Sequence, residues 1–154
     1  MKKNFFMILF FLAIIMLNSI AKEIQINIDD AIFRESDGSF RWEFYYSFDE
    51  NSLKLVENGQ HKIGELFIDV TISSTIKKEA EKKWIVTHYA GENNAGGKIL
   101  LGQKDFKLEA GQYKVNAYFQ DVNDSLSSSE INFELLIKSE TKEEVQLGGL
   151  ELVQ

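Results

Sequence analysis

The sequence predicts an all-β protein: an antiparallel two-sheet β-sandwich of immunoglobulin-like or macroglobulin-like type, with about eight strands. Three observations support this prediction. Apolar and polar residues alternate along many segments, as they do in strands with one buried face. Glycine, asparagine and aspartate cluster between these segments, where a chain without proline must make its turns. No segment has the amphipathic period of a helix that could connect parallel strands.

Residues 1–21 have the features of a secretory signal peptide. Two lysines precede an apolar run at residues 5–17, and Ser19 and Ala21 place small residues before the predicted cleavage. An uncleaved membrane anchor is the alternative, but the run is shorter than the roughly 20 apolar residues that span a bilayer. We therefore predict one domain at residues 22–154, exported to the periplasm or cell surface of a bacterium, with no stable membrane anchor after cleavage.

The composition limits the classes of function that remain. The chain has no cysteine, which excludes a disulfide-dense module, a lipid-modified cysteine anchor and thiol catalysis. Loss of the two signal-peptide lysines leaves 15 basic against 24 acidic residues, a net charge of −9. A chain this acidic repels phosphate backbones, so we expect no binding to nucleic acid.

The predicted domain begins with a strand and a hairpin. Ile24, Ile26 and Ile28 alternate with polar residues, and Asp37-Gly38 predicts a tight turn because glycine adopts positive φ without strain. The next strand carries five aromatic residues on one face: Phe40, Trp42, Phe44, Tyr46 and Phe48. Burial of each side chain contributes roughly 1.5–3 kcal/mol, so we interpret this stripe as sandwich core rather than as a carbohydrate-binding platform.

A short strand and a long strand follow. Turns are predicted at residues 49–52 and 57–60, on either side of a short strand at residues 53–56. The long strand starts near Ile63 and turns four aliphatic residues inward: Leu66, Ile68, Val70 and Ile72.

The next part of the chain contains a charged segment and an apolar one. The charged segment at residues 77–83 is interpreted as a solvated hairpin loop. Residues 84–89 are apolar on both faces, which predicts a strand near the middle of a sheet. Glycines and asparagines at residues 91–97 predict a flexible loop.

We expect the fold to be organised around residues 106–121. Leu108, Gly111 and Tyr113 predict the end of one strand, a tight corner and the start of the next strand, with Gly111 supplying positive φ. Tyr113 is interpreted as a corner tyrosine whose ring packs inward and whose hydroxyl returns to the backbone upstream; an ordinary core tyrosine is the alternative. Four residues of the second strand point inward: Tyr113, Val115, Ala117 and Phe119.

The last part of the chain predicts a loop and two strands. Residues 123–129 are polar and form the loop. The strand after it turns four apolar residues inward: Ile131, Phe133, Leu135 and Ile137. A final strand at residues 145–152 changes its apolar phase at a glycine pair, which is typical of a β-bulge.

Few residues suggest chemistry. The two histidines, His61 and His88, follow no metal-ligand or catalytic pattern, and His88 is interpreted as a partly buried, hydrogen-bonded side chain. Asp121, Asn123 and Asp124 form a weak candidate for a calcium site, because calcium prefers several oxygen ligands. Ordinary turn residues are the alternative interpretation. We predict no enzyme activity and no cofactor.

Carbohydrate binding stays open as a second function. It requires two or three aromatic side chains on an exposed face. Tyr45, Tyr89 and Tyr118 are the candidates, because they lie opposite the core-facing residues of their strands.

Four segments resemble a known family. They are residues 108–121, the Asp-Ala-Ile-Phe at residues 30–33, the aromatic strand at residues 42–46 with Ser-Leu at residues 52–53, and residues 145–152. Together they resemble the N-terminal β-sandwich region of the GWxTD-domain proteins, secreted bacterial proteins named for a Gly-Trp-x-Thr-Asp motif. That motif is absent from this chain. The resemblance implies an exported, envelope-associated β protein and no catalytic residue.

We therefore predict a non-enzymatic module that acts through contact with another protein of the envelope. Exposed sheet edges and the loops at residues 91–97 and 121–129 are the predicted contact surfaces. Strand edges can pair with other chains, and loops carry many binding functions.

Overall fold

The computed structural model describes residues 23–91 and 97–139. The predicted signal peptide, most of the predicted loop at residues 91–97 and the predicted last strand at residues 145–152 lie outside the described residues. The described chain forms two antiparallel sheets, so the predicted all-β sandwich is confirmed. No helix in the described ranges is long and apolar enough to cross a membrane.

Three strands form a smaller sheet and five form a larger one. The smaller sheet contains, in order, β1 (Ile26–Arg34), β2 (Phe40–Asp49) and β6 (Ile99–Leu108). The larger sheet contains β3 (Val56–Asn58), β4 (His61–Ser73), β5 (Lys78–Ala90), β7 (Gly111–Asp121) and β8 (Ser128–Ile137). β5 pairs with one edge of β4, while β3 and β7 share the other edge and β8 follows β7.

β1 and β2 form the predicted hairpin. Gly38 has a φ of 89°, and Asp37 accepts a hydrogen bond from the backbone N–H of Ser39 at 3.0 Å. The five aromatic residues of β2 all lie in the core, and Trp42 and Phe44 are fully buried. Because β2 lies between β1 and β6, its aromatic stripe covers the middle of the smaller sheet's inner face.

The larger sheet covers this stripe with two rows of side chains. The predicted inward residues of β4 are buried: Leu66, Ile68, Val70 and Ile72. Those of β7 are buried too: Tyr113, Val115, Ala117 and Phe119. The ring of Phe119 lies 6.3 Å from the ring of Tyr46, so the rings of the two layers pack directly against each other.

The prediction of a loop at residues 77–83 is wrong. β5 already begins at Lys78, and the segment is paired with β4. One outward charge is matched across the strands, since Lys83 lies 3.0 Å from the carboxylate of Asp69, and Lys83 also lies 3.1 Å from Glu81 on its own strand. Charged residues can occupy this part of β5 because its outer face is exposed to solvent. On the inner face, the long aliphatic part of a lysine side chain can still cover apolar surface.

The prediction that residues 84–89 lie near the middle of a sheet is also wrong. β5 pairs only with β4 in the described chain, which makes it an edge strand. Trp84 and Val86 point inward and are half-buried against the core. Ile85 and Tyr89 point outward and are exposed. Residues 84–89 of β5 are therefore apolar on both faces for two different reasons: one face packs against the core, and the other is an apolar surface exposed to solvent.

The short third strand is displaced from its predicted position at residues 53–56. β3 begins at Val56, and the chain before it contains a 3₁₀ turn at Glu50–Ser52. Leu53 is buried, but its N–H bonds to the carbonyl of Glu50 at 3.2 Å as part of that turn. The predicted strand began at residue 53 because Leu53 is apolar, but Leu53 packs into the core from a turn and not from a strand.

The corner between β6 and β7 carries the chain from the smaller sheet to the larger one. Leu108 is buried at the end of β6, and the Tyr113 hydroxyl donates to the backbone carbonyl of Glu109 at 2.8 Å, the contact of a corner tyrosine. Burial raises the pKa of Tyr113. The expectation of positive φ at Gly111 is wrong. A Cβ at Gly111 would lie 3.3 Å from the Tyr113 hydroxyl, so this glycine instead leaves room for the ring.

Replacement of Tyr113 by phenylalanine should lower the free energy of unfolding by about 1 kcal/mol, because the Glu109 carbonyl loses its donor in a partly buried position. Urea denaturation followed by tryptophan fluorescence measures the change. Tyr118→Phe is the matched control, since Tyr118 lies on the outer face of the same strand. If both variants lose the same free energy of unfolding, the hydrogen bond from Tyr113 to Glu109 does not stabilise the fold.

Candidate interaction surfaces

A buried carboxylate holds the loop between β7 and β8. Asp121 is 1% exposed, and its oxygens accept the backbone N–H of Lys54 at 2.6 Å and that of Asn123 at 2.8 Å. The Asn123 side chain donates to the Lys54 carbonyl at 3.2 Å. The N–H of Val122 bonds to the carbonyl of Glu65 at 3.0 Å. The loop is therefore fixed both to the segment before β3 and to β4.

An apolar patch, consisting of Phe67, Ile85 and Val122, lies beside this loop. Phe67 and Ile85 are register partners on β4 and β5, and Val122 directly follows β7. With Gln120 and Ser125, the patch borders a shallow depression of about 350 Å³. Ile85 is 53% exposed and Val122 is 45% exposed. The outer face of the larger sheet thus presents apolar surface to solvent next to a fixed loop.

The structure gives the calcium candidates another role. Both oxygens of Asp121 accept backbone N–H groups, and Asp124 accepts the N–H of Leu126 at 3.2 Å. Within residues 23–91 and 97–139, no three His, Cys, Asp or Glu side chains come together in a way that could hold a metal ion. Asp121 ends β7, and Asn123 and Asp124 lie in the loop after it, so these hydrogen bonds are compatible with the interpretation as ordinary turn residues.

The three candidate tyrosines do not share a surface. Tyr45 lies on the outer face of the smaller sheet, and its hydroxyl donates to the carboxylate of Glu43, which raises the pKa of Tyr45. Tyr89 and Tyr118 lie on the outer face of the larger sheet, but their register partners on β4 are six residues apart. At roughly 3.3 Å per residue, that separation is about 20 Å. No two of these rings can stack on the same sugar.

A polar concavity at one end of the larger sheet escaped the sequence analysis. The buried carboxylate of Glu50 lies 2.8 Å from Nε2 of His88 and accepts the N–H of Lys98 at 3.1 Å. His61 borders the same concavity, which has a volume of about 600 Å³, and its ring meets that of Tyr89 edge-on at 6.4 Å. These residues come from separate turns and strands, so no local motif could have indicated that they meet.

No family model matches this chain, and no curated protein matches it. A solved structure described as the X-ray structure of Northeast Structural Genomics Consortium target SoR45 is similar at 10% sequence identity, over 85% of this chain and 96% of that chain. The TM-score of this match is 0.35.

Proposed function

We propose that this chain is an exported, non-enzymatic β-sandwich module of the bacterial envelope that acts by binding another protein. The apolar patch of Phe67, Ile85 and Val122 carries this proposal. Contiguous exposed apolar surface on a soluble protein is often a binding site. The adjacent loop is already fixed through Asp121, so a partner that docks there would lose little additional conformational entropy by ordering it.

Two features of the sequence support the proposed location. The first 21 residues have the charged start, short apolar run and small-residue end of a secretory signal peptide. The acidic balance of the remaining chain disfavours docking on anionic membranes or on nucleic acid. The expected partner is therefore another protein of the envelope.

Replacement of Ile85 by lysine should reduce partner binding at least tenfold, because a charge would interrupt the centre of the apolar contact. A photo-crosslinking amino acid at Gln120, which borders the patch, reports binding in the bacterium that encodes the chain. Leu101→Lys is the matched control, since Leu101 is 83% exposed on the outer face of the other sheet. Unchanged crosslinking in the Ile85→Lys variant would overturn the proposal.

Carbohydrate binding through Tyr89 alone, rather than through a platform of several tyrosines, is the second candidate, and one observation favours it. Tyr89 is 64% exposed and packs against His61, which borders the polar concavity. An aromatic ring beside polar groups is a common arrangement in ligand sites. On this hypothesis, Tyr89→Ala abolishes binding to a glycan array, whereas Tyr45→Ala and Tyr118→Ala leave it unchanged. Absence of binding to any glycan would eliminate the hypothesis.

A further inference from the structure

Three edge strands of the sandwich carry a charged side chain that points inward. The ammonium group of Lys82 on β5 lies 4.9 Å from the ring centre of Phe106, which is buried in the core. That of Lys104 on β6 lies 5.4 Å from the ring centre of Trp84, which is half-buried against the core. On β1, Asp30 accepts a hydrogen bond from the indole of Trp42 at 2.8 Å. Inward-pointing charges at an edge oppose pairing with another chain, because an added strand would bury them.

Within residues 23–91 and 97–139, β8 is also an edge strand, and it carries no inward-pointing charge. It pairs with β7 on one side, and on its other side the described chain makes only a parallel bridge between Glu23 and Ser128. The inward residues after Ser128 are all uncharged: Ser129, Ile131, Phe133, Leu135 and Ile137. Ile131 and Phe133 are only half-buried, so apolar surface remains open along this edge.

Two carboxylates lie on the outer face of β8. Glu130 and Glu134 are exposed and accept hydrogen bonds from the amides of Asn116 at 2.6 Å and Gln112 at 3.3 Å. Neither forms an ion pair with a lysine or arginine of the described chain, although Lys114 is the register partner of Glu134. The edge therefore presents two carboxylates, four residues apart, that lack an ion-pair partner among the residues described.

We propose that the outer edge of β8, which no strand of residues 23–91 and 97–139 covers, binds an extended segment of a partner protein as an added strand. The segment has the pattern basic, apolar, any residue, apolar, basic. This inference rests on the proposed function in protein binding and assigns a second contact surface to it, separate from the apolar patch.

The pattern follows from the register that an added strand must adopt. Side chains on neighbouring strands face the same way at paired positions, so the partner's residues opposite Glu130 and Glu134 lie on the outer face. Basic residues at these two positions pair with the carboxylates. The partner's residues opposite Ile131 and Phe133 point inward and cover the open apolar surface. Main-chain hydrogen bonds supply affinity, and the alternating side chains supply specificity.

A fluorescein-labelled peptide of sequence VKVTVKV tests this proposal with the full chain by fluorescence anisotropy. Its sequence is the same in both directions, so it fits β8 in either orientation. We expect it to bind at least tenfold more tightly than VEVTVEV, which repels the two glutamates, and than VVKKTVV, which lacks the alternation. Hydrogen exchange should show new protection within residues 129–137.

Two sets of variants localise the binding. Ile131→Lys gives β8 an inward-pointing charge like those on the other edge strands. It should lower the affinity for VKVTVKV at least tenfold. Val86→Lys is the matched control, because Val86 is a half-buried inward residue of the β5 edge, and it should leave binding unchanged. The double variant Glu130→Lys/Glu134→Lys should reverse the preference, so that VEVTVEV binds more tightly than VKVTVKV.

Several results would overturn the proposal. Equal affinity for the lysine and glutamate peptides would show that the carboxylates do not select the partner. New protection at β1, β5 or β6 instead of β8 would assign the contact to another edge. Full protection of residues 129–137 before peptide is added would show that the chain itself or a second copy occupies the edge. None of these results bears on the test at Ile85, so the two proposals fail separately.

Discussion

Replacement of Gly102 by alanine should lower the free energy of unfolding by about 3 kcal/mol, the upper part of the range for an overpacked core. Gly102 and Tyr46 are register partners on β6 and β2, and both face the core. A Cβ at Gly102 would lie 2.1 Å from the Tyr46 ring. The ring cannot move away freely, because its hydroxyl accepts a hydrogen bond from the Trp84 indole at 3.2 Å and it packs against Phe119.

Urea denaturation followed by tryptophan fluorescence measures this loss, and a double-mutant cycle provides the control. Tyr46→Ala removes the ring that the new methyl group would meet, at a cost of its own. The penalty of Gly102→Ala should then fall by at least about 1 kcal/mol in the Tyr46→Ala background. A penalty that is the same in both backgrounds would show that contact with the Tyr46 ring is not its cause.

Replacement of Asp121 by alanine should also lower the free energy of unfolding by about 3 kcal/mol, because two charge-assisted hydrogen bonds are lost at once. The backbone N–H groups of Lys54 and Asn123 would lose their acceptor in a partly buried position, next to a residue that is 1% exposed. The loop should come free of the segment before β3, so hydrogen exchange in residues 122–127 should accelerate. The neighbouring apolar patch would then lose its fixed border.

Asp124→Ala is the matched control, since this carboxylate lies in the same loop but accepts only an exposed bond from Leu126 at 3.2 Å. We expect it to lower stability by less than about 1 kcal/mol. Asp121→Asn should lie between the two variants, because the amide keeps one acceptor and brings a misplaced donor. If Asp121→Ala and Asp124→Ala have equal effects, burial of the Asp121 carboxylate does not stabilise the loop.

Side-chain alternation predicted the fold because it indicates which face of a strand is buried. The aromatic stripe that starts at Phe40, the row from Leu66 and the row from Tyr113 all face the core as expected. The Tyr113 hydroxyl bond could be predicted as well, because its partner Glu109 is only four residues away. Local patterns thus contained enough information for two packed layers and one corner.

Alternation does not indicate which strands are neighbours, and the two wrong predictions for β5 follow from that limit. Apolar residues on both faces of β5 suggested burial on both sides, but Ile85 is part of the exposed patch. The charges of residues 77–83 suggested a loop. The sequence could not show that the Lys82 side chain covers the ring of Phe106, because Phe106 lies on the other sheet. The hydrogen bond from the Lys54 N–H to Asp121 could not be predicted either, because the two residues are 67 positions apart in the chain.

The aromatic rings of the core form a continuous series across the sandwich. Trp42, Phe44, Tyr46 and Trp84 follow one another at centroid distances of 5.5, 6.1 and 6.0 Å, and their planes are tilted. Closely packed rings held in a fixed, asymmetric environment give strong near-ultraviolet circular dichroism, and this signal fades when packing loosens even if the strands persist. Both tryptophans of the chain belong to the series. The protein thus carries an intrinsic optical probe of side-chain order that is independent of its backbone structure.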